Sequence, residues 1–400
     1  GAHQDLHSFP TRRSSDLENQ LAGRLRYRGQ FWTLFLPFSG AWTVWQGVDG
    51  QWTHKGSWRH AYDFVITDGD GNTHKGNGAR LEDYYAYGKP VLAPVRGRVV
   101  KVIRHLPDNP PGTVDRSETW GNLVIIKEPR EFFVKLGHLA AGSIRVEEGE
   151  WVERGAVLGA CGSSGHSPQP HIHVHVQASD RVGAPTVPFS FVSYTDGGRY
   201  SANDLPALHA RVRPLYLDKR LDALTAFVLD EVFEYQATDG AGPRETARMT
   251  VKMALDGTFY LESGRGRLYF GKHEGTFYFY RLEGDDAFLA ALFQALPRLP
   301  LGDGAGLEWE DYVPVGVVVG GWRRAAARFL SSFHPGLGRA RVALALRDRG
   351  LIEGQVCSRW LRGPRRTELR LDGRAGFESL RLDGREWRRR ESEAASRARG

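Results

Sequence analysis

His171, His173 and His175 occupy alternate positions in Pro170-His171-Ile172-His173-Val174-His175. Residues two apart in a β-strand share a face, and the intervening Ile and Val favour a strand. Imidazoles lined up on one face are poor packing material, but they suit a divalent metal and a water molecule. The same half of the chain supplies more residues of ligating type: His54, His60, Asp63, His74, His138 and His166. A catalytic zinc keeps three protein ligands and one position open to water, with a further base to take that water's proton. Spacing alone allows His171 and His173 to be two ligands, or one ligand and one base.

The elements that must position these residues read as short strands between Gly-, Pro- and Asp-containing turns. They are Gln30–Leu36, Ala41–Gln46, Val91–Leu92, Val99–Ile103, Leu123–Ile126, Phe132–Leu136 and Ile172–Val176. Regular short strands with such punctuation predict a mainly β fold, a compact antiparallel sandwich or barrel-like domain over 21–185. Paired Val-Gly phrases from Ile144 to Gly159 suit a strand that turns twice, and the same phrase occurs in biotinyl and lipoyl carrier domains. Those domains need a modifiable lysine at a hairpin tip, and no lysine lies between Lys135 and Lys219, so a carrier role is disfavoured. Asp68-Gly69-Asp70-Gly71-Asn72 opens like a calcium loop, but Thr73 and Ala79 stand where Gly and Glu are required. It reads as a turn. The Pro- and Asp-rich stretch from Leu106 to Thr119 is expected to rim the site.

Four stretches, taken in order, resemble the lysostaphin/LytM-type zinc endopeptidases of bacterial cell walls. They are Thr53-His54-Lys55-Gly56 leading to Ala61-Tyr62-Asp63-Phe64; Gly88 to Pro94 followed by Gly97-Arg98-Val99-Val100; Trp120-Gly121-Asn122 running into Leu123–Ile126; and Gly137-His138-Leu139 continuing through the Val-Gly phrases to Gly162–His173. The likeness covers roughly residues 30–180. It implies Zn²⁺ held by His54, Asp63 and His173, with His138 and His171 as catalytic histidines that position and deprotonate water. In many relatives a histidine precedes the aspartate by four residues, and here that position is Arg59. The closer likeness is to a branch with an inserted loop, in which His60 falls on an aromatic position; His60 and His74 therefore stay open as alternatives to His54. At His175 the family has Glu or Gln, so this histidine is either a hydrogen-bond partner of a ligand or a strand residue at the pocket floor.

The function so implied is a zinc metalloendopeptidase acting on peptide cross-links or stem peptides of peptidoglycan, located in the cell envelope. The alternative is a non-catalytic relative that binds cell wall or activates another hydrolase. Pocket histidines further imply activity that falls as they protonate and the metal is released.

Composition bounds the remainder. With 400 residues, 41% hydrophobic and 25% charged, the chain has the make-up of an ordinary soluble protein and exceeds one comfortable core. The longest apolar run, Phe31–Phe38, is too short to cross a bilayer. The net charge of +7 comes mostly from arginine and reads as composition, not as a nucleic-acid surface. Cys161 and Cys357 cannot form a zinc knuckle; two buried thiols are expected, with one long-range disulfide as the alternative. His7–Leu17 resembles the translation of a sequencing adapter, which sets residues 1–20 aside and leaves any export signal unreadable. Residues 186–204 read as a linker, 205–390 as a second, β-rich α+β domain with helices near Leu221–Phe233 and Asp286–Leu296, and 391–400 as a disordered tail. The arginine-rich end is read as frayed from Arg385. No catalytic cluster is visible in that second domain, and nothing fixes an oligomeric state.

Overall fold

Ile172, Val174 and Val176 are fully buried in an apolar core, while His171, His173 and His175 take the other face of the same strand. This follows from the pleat: six residues of strict alternation can serve a core and a site at once. The computed structural model describes residues 32–238, 245–273, 275–303, 306–347, 350–371 and 375–390. The segments read as adapter-like (1–20) and as a tail (391–400) lie outside them, as do the first residues of the Gln30–Leu36 strand. The chain is mainly β and divides into two units, one spanning 28–215 and one built from 216 onward.

In the first unit the strands are β1 (Trp32–Leu34), β2 (Trp42–Gln46), β3 (Ala61–Val65), β4 (Pro90–Leu92), β5 (Gly97–Ile103), β6 (Asn122–Lys127), β7 (Phe133–Leu139), β8 (Trp151–Val152), β9 (Val157–Ala160), β10 (Ile172–Gln177), β11 (Phe189–Asp196), β12 (Arg199–Asp204) and β13 (Arg211–Pro214). One sheet runs β11-β13-β2-β3-β10-β7-β6-β5-β8, with β12 and β1 also paired to β11. Its pairings are antiparallel except β1 with β11. β4 and β9 form a separate ribbon. The Val-Gly phrases become β8 and β9, with Gly149 and Gly155 supplying positive φ at the turns.

β10 lies between β3 and β7, the most protected place in the sheet. Tyr62 and Phe64 of β3, Val134 and Leu136 of β7 and the three apolar residues of β10 pack into one core with Phe38, Trp42, Phe189 and Phe191. Burying each such side chain stabilises by roughly 1.5–3 kcal/mol. The floor of the site is therefore fixed by core packing.

Several expectations need correction. Residues 186–204 are not a linker: β11 and β12 occupy them, with Phe189 and Phe191 buried, and the division between units falls after Leu215. The Pro and Gly residues that flank this stretch mask a strand buried on both faces from Phe189 to Thr195. The helix read over Leu221–Phe233 is only α1 (Lys219–Leu224), capped by the Asp218 side chain. Phe233 belongs to β14 (Val232–Thr238), where Phe233, Tyr235 and Ala237 are buried with a period of two. Arg385–Arg389 forms a strand paired on both sides and is not frayed, because Trp387 is anchored in the core. Cys357 is exposed, and both cysteines are free.

The second unit is a long antiparallel meander with α1, a helix at Ala287–Ala295 that meets the expectation near Asp286–Leu296, and an unforeseen helix at Gly321–Ser331. No helix among the described residues is long and apolar enough to cross a membrane.

Candidate active site

Asp63 sits opposite His173 in the β3–β10 register, and Gly137 sits opposite His173 on the β7 side. Two irregularities in the ladder turn neighbouring side chains toward this point. Between Val44 and Gln46 the β2–β3 register slips, so Gln46 and not Trp45 faces Asp63. Between Asn122 and Val124 the β6–β7 register slips as well, and the residue that absorbs the bulge on β7 is His138, at φ 58°. A non-glycine residue in the left-handed region is strained, and bulges of this kind re-aim side chains beside active sites.

His54 arrives from the β2–β3 connection. Its Nδ1 donates to the Gly47 carbonyl at 2.9 Å. That leaves Nε2 as a lone pair, 3.2 Å from Asp63 Oδ2, buried and without a hydrogen-bond partner. Gln46 holds both sides of this arrangement. Its Nε2 donates to Asp63 Oδ2 (2.9 Å) and Thr53 Oγ1 (3.0 Å), and its Oε1 accepts from the backbone N–H of Trp52 (2.8 Å) and Thr53 (3.1 Å). One side chain thus orients the carboxylate and pins the loop that carries His54.

His138 and His171 share a design. The Nδ1 of His138 donates to the Ser164 carbonyl at 2.8 Å, and that of His171 donates to the Gln169 carbonyl at 2.9 Å. Both rings therefore keep Nε2 free as an acceptor. Their centroids are 4.7 Å apart, and His171 Nε2 is 3.7 Å from Asp63 Oδ1. The Trp120-Gly121-Asn122 stretch sets the Ser164 carbonyl: Asn122 N–H donates to Ser164 Oγ at 2.9 Å, and Ser164 Oγ donates to the Leu139 carbonyl at 2.8 Å. A Cβ at Gly121, where φ is 65°, would stand 2.4 Å from the Ser164 oxygen. Only glycine fits there.

On the far side of His173, its Nε2 meets His175 Nδ1 at 2.8 Å, and His175 Nε2 meets Gln177 Oε1 at 2.9 Å. Lys135, opposite His175 in the register, is wholly buried with its Nζ 3.0 Å from the Trp120 ring centroid. Burial holds that amine well below its usual range.

The electrostatics centre on Asp63. Burial works to raise its pKa, but the imidazoles of His54, His171 and His173 around it outweigh burial and hold the carboxyl well below its usual range. His54 is raised: burial opposes protonation, and the Asp63 charge overrides it. Burial pushes His173 down to about 4. Burial, with His171 and His173 alongside, holds His138 well below the ordinary imidazole value.

One atom each from His54, Asp63 and His173 lies within 4.8 Å of the others. The donor set, two imidazoles and a carboxylate with an orphaned His54 Nε2, has the chemistry of a site that could hold a divalent metal ion such as zinc. Among the described residues His60 and His74 are not part of this group; the His60 backbone N–H donates to Thr186 Oγ1, and His74 lies edge-on to Tyr84 in the 66–89 connection between β3 and β4. His166 lines the cleft, as do Val114 and Thr119 from the rim segment.

The cleft holds about 700 Å³ and is walled by Trp45, Trp52, Trp58 and Trp120. Asp63 is the sole carboxylate in its lining, among the described residues, and no Lys or Arg lines it. Trp52 stacks on Trp45 at 5.5 Å and is 55% exposed; Trp58 is edge-on to Trp120 at 5.7 Å and is 45% exposed. Sequence reasoning missed these tryptophans, Gln46 and Gln177. The one available signal was the density of Trp between positions 42 and 58, which reads equally well as core.

Residues 76–185 match the family model of peptidase family M23. That span contains His138, His171 and His173 but begins after Asp63 and His54. No curated protein matches the chain. Among solved structures, the chain is similar to a mutant catalytic domain of the prophage-encoded M23 protein EnpA from Enterococcus faecalis (20% identity, 38% of this chain and 94% of that one, TM-score 0.27). It is also similar to a zinc containing peptidase from Vibrio cholerae (20% identity, 38% of this chain, TM-score 0.24), of which it spans 35%. A third is the catalytic domain of lysostaphin from Staphylococcus simulans (18% identity, 44% and 92% covered, TM-score 0.22).

Proposed function

With residues 76–185 matching a peptidase family, we propose that the first unit is a zinc-dependent endopeptidase that hydrolyses peptide bonds in peptidoglycan cross-links or stem peptides. The observation that carries this reading is the convergence of unshared lone pairs. His54 Nε2 and the Asp63 carboxylate meet with His173, while His138 and His171 each present a free Nε2 to the same cleft. His54, Asp63 and His173 would hold the zinc. When bound, the ion supplies Lewis acidity that lowers the pKa of a water and polarises the scissile carbonyl.

The chain's own residues do the rest. His171, its Nδ1–H fixed on the Gln169 carbonyl, accepts the proton of the attacking water at Nε2. The proton that His171 takes from the water goes on to the leaving amine, from His171 itself or by way of Nε2 of His138, which is fixed in the same way on Ser164 and, while it carries that proton, hydrogen-bonds the developing oxyanion. Burial keeps His138 neutral at neutral pH, so it begins as an acceptor. Gln46 holds Asp63 in place, and the tryptophan walls exclude water and offer flat, uncharged contact to the substrate. A peptidoglycan substrate implies an envelope or extracellular site of action.

Metal analysis and a peptidoglycan zymogram test the reading together. About one zinc per chain, lost in His173→Ala, and clearing by wild type but not by His171→Ala are expected. A protein that clears peptidoglycan equally well as His171→Ala contradicts the role given to that residue.

A further inference from the structure

Gln177 is fully buried, and its amide nitrogen donates to two backbone carbonyls, Ser179 at 2.6 Å and Arg181 at 3.0 Å. Turning the amide over would aim an oxygen at two oxygens, so Oε1 must be the atom that faces His175 Nε2 at 2.9 Å. A carbonyl oxygen only accepts. His175 therefore carries its proton on Nε2 and, as a neutral ring, offers Nδ1 as a lone pair. That lone pair accepts a hydrogen bond from His173 Nε2–H at 2.8 Å. His173 is then left with an unprotonated Nδ1, pointed at Asp63 Oδ1 from 2.8 Å.

Left to itself, the His173–Asp63 pair would settle by placing the proton on Nδ1 and donating it to the carboxylate. The remaining lone pair, on Nε2, would then face His175 and not the Asp63 carboxylate. The chain of bonds from Ser179 and Arg181 through Gln177 and His175 forbids that arrangement, because reversing it leaves His175 Nε2 facing Gln177 Oε1 as two acceptors. His175 is wholly enclosed, with Lys135 across the ladder from it. Two acceptors 2.8 Å apart at the other end call for a cation.

We propose that His175 and Gln177 are positioning residues, a relay that holds His173 in its Nε2–H tautomer and thereby makes Nδ1 its metal-binding atom. The proposal rests on the metal-site reading above. It assigns a role to Gln177, two hydrogen bonds away from His173, and explains why a histidine can stand at position 175: the ring passes the polarity of the Gln177 amide along the strand face. Partners of this kind typically change metal affinity by about 10- to 100-fold when removed.

The test is the zinc affinity of the full chain, measured by chelator competition, with urea unfolding of the metal-free protein alongside. His175→Leu removes the acceptor, and Gln177→Leu frees His175 to reverse. Both are expected to weaken zinc binding by about tenfold or more. His175→Gln keeps an acceptor for His173 and a donor for Gln177, and should bind zinc within about threefold of wild type. Should His175→Leu and Gln177→Leu bind zinc as wild type does while His173→Ala loses it, the relay is refuted and the metal site stands. If His175→Gln binds as poorly as His175→Leu with both folded, the acceptor is not what matters and the relay fails again. Wild-type affinity in His173→Ala would overturn the metal assignment itself, and the relay with it.

Discussion

Replacing Gln46 by Leu tests whether one buried amide assembles the metal site. The side chain is 2% exposed and makes four hydrogen bonds, to Asp63, Thr53 Oγ1 and the backbone N–H groups of Trp52 and Thr53. Leucine fills a similar volume and makes none of them. A hydrogen bond to a charged group contributes about 1.5–3 kcal/mol, and a buried donor left unsatisfied costs about 1–3 kcal/mol. Because Trp52 is half-exposed, its N–H can reach water, and the lower end of that range applies to the loop. The expected loss of stability is therefore about 2–4 kcal/mol. Zinc affinity should fall further than stability alone would require, because the same amide orients Asp63 and pins the loop that delivers His54; about 10- to 100-fold is expected. Denaturant unfolding of the metal-free protein and chelator competition on the folded protein read the two effects separately. A Gln46→Leu protein that binds zinc within about twofold of wild type and unfolds at the same denaturant concentration refutes the reasoning.

Four further outcomes follow from the same geometry. In the metal-free protein, His173 and His138 have folded pKa values below their unfolded ones, so the unfolded chain binds more protons between about pH 4 and pH 6.5. Their contribution is complete above about pH 6.5 and is lost as pH falls, by up to about 1.4 kcal/mol per pH unit per group, and Asp63 adds to the loss at lower pH. Stability that rises toward acid pH over that window contradicts the assignment. His138→Gly should be about 1–2 kcal/mol more stable than His138→Ala in denaturant titrations, since φ is 58° there, while both lose about 10²- to 10⁴-fold in turnover. Trp52→Ala should raise KM several-fold with kcat little changed, because its exposed ring walls the cleft without reaching the reacting atoms; a selective fall in kcat would argue against that placement. Adding zinc to the metal-free protein should raise its Tm, and the increment should vanish in Asp63→Ala, as calorimetry can check.

The strand that carries His171, His173 and His175 was legible because its alternation is uninterrupted, and the sequence motifs around His138 were legible because their glycines are sterically required. The choice of His54 over His60 was not settled by spacing, since the residue four before Asp63 is Arg59 and the histidine next to it points elsewhere. The Gly47 carbonyl, which accepts the Nδ1–H of His54 and turns Nε2 inward, is what brings this histidine to Asp63. That contact spans seven residues of an irregular loop, and no periodicity encodes it. Gln46 was invisible for a related reason. In a regular ladder Trp45, not Gln46, would share the face of Asp63, and only the slip at that point exchanges them. The linker reading of 186–204 failed in the other direction, with turn residues outweighing a real strand.

Both register slips act on the same small volume, and this gives the site its physical character. A regular β-sheet spaces same-face neighbours along one strand by two residues, too sparse for five ligating or basic groups to meet at one point. The slip on β2 brings Gln46 to Asp63, and the bulge on β7 rotates His138 over His171 and His173. The strain this stores at His138 is borne by the core beneath it, where Val134, Leu136, Val174 and Val176 are fully buried. A rigid apolar floor keeps a strained residue from relaxing, and the strained residue closes the ring of imidazoles. Weakening that floor should therefore impair the site before it unfolds the domain: Val174→Ala is expected to cost about 1–3 kcal/mol in stability and to loosen the positions of the histidines on either side of it in the strand.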